Sequence, residues 1–439
     1  MVENLIVRGG TVVRSSEVVS ADVAIVDGRI LEVGRHLAAP TRAIELDAAG
    51  CLVGPGLVDL HTHLREPGGE EAETVETGCR AGALGGYSAV VAMPNTIPAI
   101  DSAAVVAQVI ALGEAAAIDV AVAGAITVGR AGQILSPMAE MASLGVTIFT
   151  DDGNGVQDAG LMLRAMQYAR GLGVTLAEHC EDESLAGSGC MNAGSLASRL
   201  GLPGRSGLSE EIMVARDLAL AEATGCSLHL LHLSTARSLE LCLAAKAKGI
   251  DVTFEVTPHH LHLPEELCAS YDPVFKVHPP LRTKADIDAL VAALVAGQID
   301  AVATDHAPHP AQAKDRPFDQ AAPGMLGLEH AAALTWEALG AEGDGRMLFE
   351  VLSRRPARIA RLTEASERRG GQSAHGGELM VGDDANLCIF DPSRRPIVDP
   401  AALASRSRNT PYAGRTLTGA IRHTIVRGEL IVRESEAQR

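Results

Sequence analysis

His61 and His63, one residue apart, follow the apolar run of residues 51–58, which reads as a short buried strand. Residues two apart on a strand point the same way, so both imidazoles can face one point at its C-terminal end. Imidazole nitrogens are favoured ligands for zinc and its neighbours. Taken alone, the pair reads better as a polar turn. What changes this is where other polar residues fall.

Apolar, β-branched runs recur at residues 57–60, 88–93, 120–126, 146–150, 174–177, 228–231, 252–256 and 299–303. Most are separated by Ala- and Leu-rich segments with helical spacing, such as 71–84 and 210–224. Eight strands alternating with helices predict an α/β fold of the (β/α)8 barrel type, whose chemistry sits where the strands end. Asp151, Asp152 and Gly153 follow the fourth run and His179 the fifth. His232 follows the sixth, and Asp305 and His309 the eighth. Singly, His179 and His232 are ordinary loop histidines, Asp305 a helix cap, and Asp152-Gly153 a turn. Jointly they form a nitrogen- and oxygen-rich cluster without thiolates, the ligand set of a catalytic zinc site. A binuclear centre would place His61, His63 and Asp305 on one ion, His179 and His232 on the other, and Asp152 between them. Two such ions hold a shared water as hydroxide near pH 7.

Other residues describe a substrate. Arg65, two residues past His63, can grip a carboxylate bidentately; without context it is as well explained as a surface arginine. Asn95, after the second run, can donate an amide to the same group, and His309 a third donor. Residues 321–327, including Pro323 and Gly324, suit backbone contacts to a flat polar ring, although composition alone fits a plain loop equally well.

The elements that must position these residues leave both chain ends over. Residues 1–54 alternate short apolar runs with turn signals, among them Asp27-Gly28, and residues 385–390 and 425–432 do the same. Neither end can bury a core alone, so the two are expected to form one small β-sandwich domain beside the barrel. The expected division is 1–54 and 366–439 for the sandwich and its linker, with the barrel at 55–365. Ser366 to Gly377, polar and Gly-rich, is the expected linker. With 47% hydrophobic residues but only 3% aromatics, the core must be built from Ala, Val, Leu and Ile. A net charge of −18 argues against a nucleic-acid or anionic-membrane surface, since both need basic patches. Eight scattered cysteines without a Cys-x-x-Cys pair suit reduced thiols. With neither a signal segment nor a bilayer-spanning run, the expectation is a cytoplasmic protein.

Over nearly its whole length the sequence resembles the bacterial long-chain (class I) dihydroorotases of the amidohydrolase superfamily. The resemblance lies in HTHLREPGGE at 61–70, MPNTIPAID at 93–101, FTDDG at 149–153, EHCED at 178–182, HLST at 232–235, EVTPHHL at 255–261, KVHPPLR at 276–282, ATDHAPH at 303–309 and NTPYAG at 409–414. It implies a zinc-dependent, reversible cyclisation of N-carbamoyl-L-aspartate to L-dihydroorotate in pyrimidine biosynthesis, with one or two ions per chain. It implies His61, His63, Asp152, His179, His232 and Asp305 as metal ligands, Asp305 also as the proton shuttle, and Arg65, Asn95 and His309 as carboxylate contacts. The choice of Asp152 over Asp151 as the bridge rests on the resemblance. His278 stands where the family motif usually has Asn; it is expected to hydrogen-bond substrate still, with an altered pH profile because histidine titrates near neutrality. Hydantoinases, dihydropyrimidinases and allantoinases are the nearest alternatives, but typically bridge their metals with a carboxylated lysine, and residues 146–150 hold none. A non-catalytic partner of aspartate transcarbamoylase is the alternative of another class; that transcarbamoylase and a second copy of the chain are the candidate partners.

Overall fold

The computed structural model describes residues 3–366 and 371–438. Eight short parallel strands form the centre: Leu57–Thr62, Tyr87–Ala92, Asp119–Val122, Ile148–Phe149, Thr175–Glu178, Ser227–Leu230, Val252–Val256 and Ala301–Val302. Each pairs with the next, the third and fourth through a bridge between Gly124 and Phe149, and Thr62 bridges to His306 to close the ring. The barrel expected from the eight apolar runs is therefore present.

Strand periodicity separates two apolar layers. Val58, Ala89, Val91, Ala121, Ala177 and Ala301 pack among themselves inside the barrel, closed at the base by Ala357, Ala360 and Leu362. Leu57, Val90, Val120, Leu176, Phe254 and Val302 face outward onto the helices. So many alanines inside explain how the chain fills its centre with few aromatics. The helices start and stop on local signals. Ala159–Leu172, for example, is capped by the Asp158 carboxylate, which accepts from Leu161 N–H, and ends at Gly173 in the left-handed conformation (φ 67°).

Both chain ends meet in one nine-stranded sheet. Leu5–Val13 pairs through its first half with Ile44–Asp47 and through its second with Leu52–Pro55. Leu52–Pro55 in turn pairs antiparallel with Leu387–Asp391 from the other end of the chain. The strands fold over a shared core of Leu5, Val23, Ile25, Val53, Ile389 and Ile425, giving the β-sandwich.

Residues 367–370 of the expected linker lie outside the described residues. Its remainder is anchored on the barrel base: His375 is 2.9 Å from both Asp119 and Ser88, and Ser373 N–H donates to Asp119. Further on, residues 405–409 return to the opposite rim. There Ser407 donates to Ala72 O, and Asn409 Nδ2 donates to Ala307 O and Gly324 O. All eight cysteines are buried and unpaired. Among the described residues no helix is long and apolar enough to cross a membrane.

Candidate metal centre

The first strand carries a bulge between Asp59 and Thr62, where its pairing spends three residues against two: Asp59 faces Val90 and Thr62 faces Ala92. This re-aims the chain. Val58 and Leu60 both point into the barrel, yet so do His61 and His63, which simple alternation from Leu60 forbids. Asp59 stays outside the lumen and accepts from Thr304 N–H (2.8 Å) and Oγ1–H (2.7 Å), fastening the first strand to the residue before Asp305.

Asp152 lies at the focus. Its Oδ1 is 3.3 Å from His61 Nε2, 3.6 Å from His179 Nδ1 and 3.7 Å from His232 Nε2; its Oδ2 is 3.5 Å from His63 Nε2. Asp305 Oδ1 is 3.0 Å from His63 Nε2 and 3.6 Å from His61 Nε2. Two groups have donor atoms close enough for one ion each, His61-His63-Asp152 and Asp152-His179-His232, and Asp152 belongs to both. Asp151, which spacing alone could not distinguish from Asp152, is occupied elsewhere. Its carboxylate accepts from Ile126 N–H, Thr127 N–H and the Thr127 hydroxyl.

The donors suit a cation. His61 Nε2 is buried without a hydrogen-bond partner, and His179 Nδ1 and His232 Nε2 stand 2.9 Å apart. Burial alone would push the His61 and His179 imidazoles down. The carboxylates outweigh it, Asp152 and Asp305 at His61 and Asp152 with Glu181 at His179, and His179 is raised to about 10. Conversely burial would raise Asp152 and Asp305, but the imidazoles, His61 first, hold both below the usual carboxylate range. Such a cluster holds either extra protons or metal ions in their place. Arg65, His232 and Asp305 all adopt positive φ (61°, 33° and 44°), so three residues of the site hold strained backbone.

The centre opens into a cavity of about 200 Å³ that is also lined by Arg65, Asn95, His278, His309, Pro323 and Gly324. Arg65 donates Nε–H to Pro308 O (3.2 Å); burial, opposed by Asp305 and Asp152, brings it down to about 10, so it stays charged. Asn95 Oδ1 accepts from His63 Nδ1–H (2.8 Å), which leaves its amide nitrogen for a ligand. His309 Nε2–H donates to Pro323 O (2.7 Å), so it must release that carbonyl before it can donate to a substrate through this nitrogen. Gly324 N–H donates to Lys276 O, and Gly324 O accepts from Lys314 and Asn409. Both of its backbone groups are thus engaged. His278 is pushed down to about 3 by burial and by Arg205, so it is neutral over the physiological range, against the expectation of titration near neutrality. Its Nε2 is buried without a partner.

Comparison with known proteins agrees with this geometry. The family model described as Dihydro-orotase-like matches residues 50–238. Curated relatives named dihydroorotase include those of Pelotomaculum thermopropionicum, 44% identical with 98% of this chain and 99% of that protein covered, and Streptomyces coelicolor, 46% identical with 95% and 97% covered. That of Mycobacterium tuberculosis is 44% identical, with 94% and 95% covered. The chain belongs to the dihydroorotase family. Solved structures add the fold of this family member. L-hydantoinase from Arthrobacter aurescens superposes with a TM-score of 0.88 at 24% identity, covering 100% of this chain and 98% of its own. D-hydantoinase from Thermus sp. does so with a TM-score of 0.82 at 25% identity, covering 99% and 96%.

Several residues of this dihydroorotase-family site were not singled out from sequence. Glu255 accepts from His61 Nδ1–H, Glu181 lies 3.4 Å from His179 Nε2 and is paired with Arg205, and Asn409 ties the rim segments together. Glu255, Glu181 and Asn409 lie inside the quoted motifs EVTPHHL, EHCED and NTPYAG, so a signal was there, but no spacing rule assigned them a partner.

Proposed function

We propose that the chain catalyses the reversible cyclisation of N-carbamoyl-L-aspartate to L-dihydroorotate, with His61, His63, Asp152, His179, His232 and Asp305 holding two divalent ions, zinc by the chemistry of the donor set. The observation that carries this is Asp152 shared between two ligand groups, with Arg65 on the wall of the same cavity. Ions bound there polarise a carbonyl and lower the pKa of water. Arg65 and the amide nitrogen of Asn95 bind the free carboxylate that distinguishes dihydroorotate from a plain dihydropyrimidine.

In ring opening Asp305 accepts the proton of the attacking water as its oxygen bonds to the ring amide carbonyl. It then delivers that proton to the nitrogen as the carbon–nitrogen bond breaks. In ring closure Asp305 accepts the proton of the ureido nitrogen as that nitrogen attacks the side-chain carboxyl carbon, then returns it to the departing carboxyl oxygen, which takes a second proton from solvent and leaves as water. Asp305 serves both directions because it stands 3.0 Å from His63 on the cavity wall and stays ionised there. Neutral His278 contacts substrate as a hydrogen-bonding group without charge, and the Pro323-Gly324 edge closes the far side of the ring. The test is hydrolysis of dihydroorotate followed in the ultraviolet beside dihydrouracil and hydantoin. Turnover of dihydroorotate alone is expected; turnover of the other two without it would assign the chain to hydantoinase chemistry.

A further inference from the structure

Glu255, at the end of the strand Val252–Val256, is fully buried with both carboxylate oxygens engaged. Oε1 is 2.9 Å from His61 Nδ1, and Oε2 is 3.0 Å from His229 Nε2. The other nitrogen of His229 is 2.8 Å from Thr253 Oγ1. Backbone N–H of His232 also points at Oε1, at 3.4 Å. One carboxylate on the seventh strand thus holds side chains of the first and sixth.

An ionised carboxylate can only accept, so each imidazole must give it an N–H. His61 Nδ1–H is then committed to Glu255, and Nε2, the nitrogen facing Asp152, is the one left to bind a metal ion. An ionised carboxylate in a barrel interior is costly unless its oxygens are bonded. A purely packing role is served better by an apolar side chain, like the alanines around it.

We infer that Glu255 is a positioning residue that fixes the tautomer and aim of His61, with His229 as its counterweight. The inference rests on the reading that His61 is a metal ligand. His229 and Thr253 keep the second oxygen of Glu255 occupied, so the carboxylate cannot rotate away from His61.

The test is zinc affinity, measured by competition with a chromophoric chelator on chelator-stripped full-length protein. Glutamine in Glu255→Gln offers one acceptor and one donor, and cannot accept from both imidazoles. The variant should bind zinc about 10- to 100-fold more weakly, the usual effect of losing an outer partner of a ligating imidazole. A merely structural role would lower the Tm of stripped and zinc-loaded protein equally; the positioning role shrinks the zinc-induced rise in Tm. Unchanged zinc affinity in Glu255→Gln overturns the inference while leaving the metal site intact. If that variant does not fold, His229→Gln carries the test: weaker zinc binding supports the role and wild-type affinity overturns it. A wild-type chain that binds no zinc overturns the metal reading itself, and this inference with it.

Discussion

In the proposed mechanism Asp305 has two tasks, as a donor beside His63 and as the group that moves the proton. Asp305→Ala should therefore lower turnover by about 10²- to 10⁴-fold, the range expected for a positioned acid–base group. Substrate affinity should fall much less, because Arg65 and Asn95 remain. Steady-state kinetics with metal content measured on the same sample checks this, and turnover near wild type would remove the role. His278 gives a second prediction at this scale. Burial and Arg205 keep it neutral, with its pKa down to about 3. His278→Asn should leave the pH profile of kcat/KM unchanged between pH 6 and 9 and show its effect in KM. A shifted profile in that range would show that the imidazole titrates after all.

At the scale of elements, the turn after the fourth strand divides its work between neighbours. Asp151 bonds the loop of the third strand and Asp152 faces the imidazoles. Asp151→Asn should cost about 1–3 kcal/mol of stability through unsatisfied buried donors while the metal content is retained. Asp152→Asn should lose metal. Equal metal loss in both would contradict the division. Gly324 sits at φ 140°, and a Cβ there would come within 2.8 Å of Ala307 Cβ and 2.9 Å of His309 Nε2. Gly324→Ala should therefore raise KM by shifting the cavity edge, at a stability cost of about 1–3 kcal/mol. The strand ends that carry His61, Asp152, His179, His232 and Asp305 were legible in the sequence, because buried parallel strands read as apolar runs and the polar residue ending each run stands out. The bulge at 59–62 was not. A bulge changes pairing, not composition, and nothing in residues 57–62 marks it. Glu255 and Asn409 were hidden for a related reason: their partners lie 194 and 102 residues away in the chain, beyond any local pattern.

At the scale of the molecule, the two chain ends share one sheet, and residues 405–409 cross back to complete the catalytic rim. The sequence showed that neither end could fold alone but not that the C-terminal segment reaches the site, since that depends on contacts with Ala72, Ala307 and Gly324. The charge balance of the centre also has a global consequence. In stripped protein, Asp152 and Glu181 raise His179 to about 10, above the ordinary imidazole value near 6.5. Its protonation stabilises the fold fully below about pH 6.5, and this is lost as pH rises through about 10. Metal bound at His179, as proposed, would take the place of that proton. The Tm of stripped protein should therefore fall more steeply between pH 6.5 and 10 than that of loaded protein; parallel curves would contradict the electrostatic picture.

The most direct measurement is a titration of stripped protein with zinc, following dihydroorotate hydrolysis and bound metal on the same sample. Activity that rises from zero to a plateau at two zinc per chain is the expected result for two ligand groups joined by Asp152. Full activity in stripped protein, or saturable zinc binding without any dihydroorotate turnover, would contradict it.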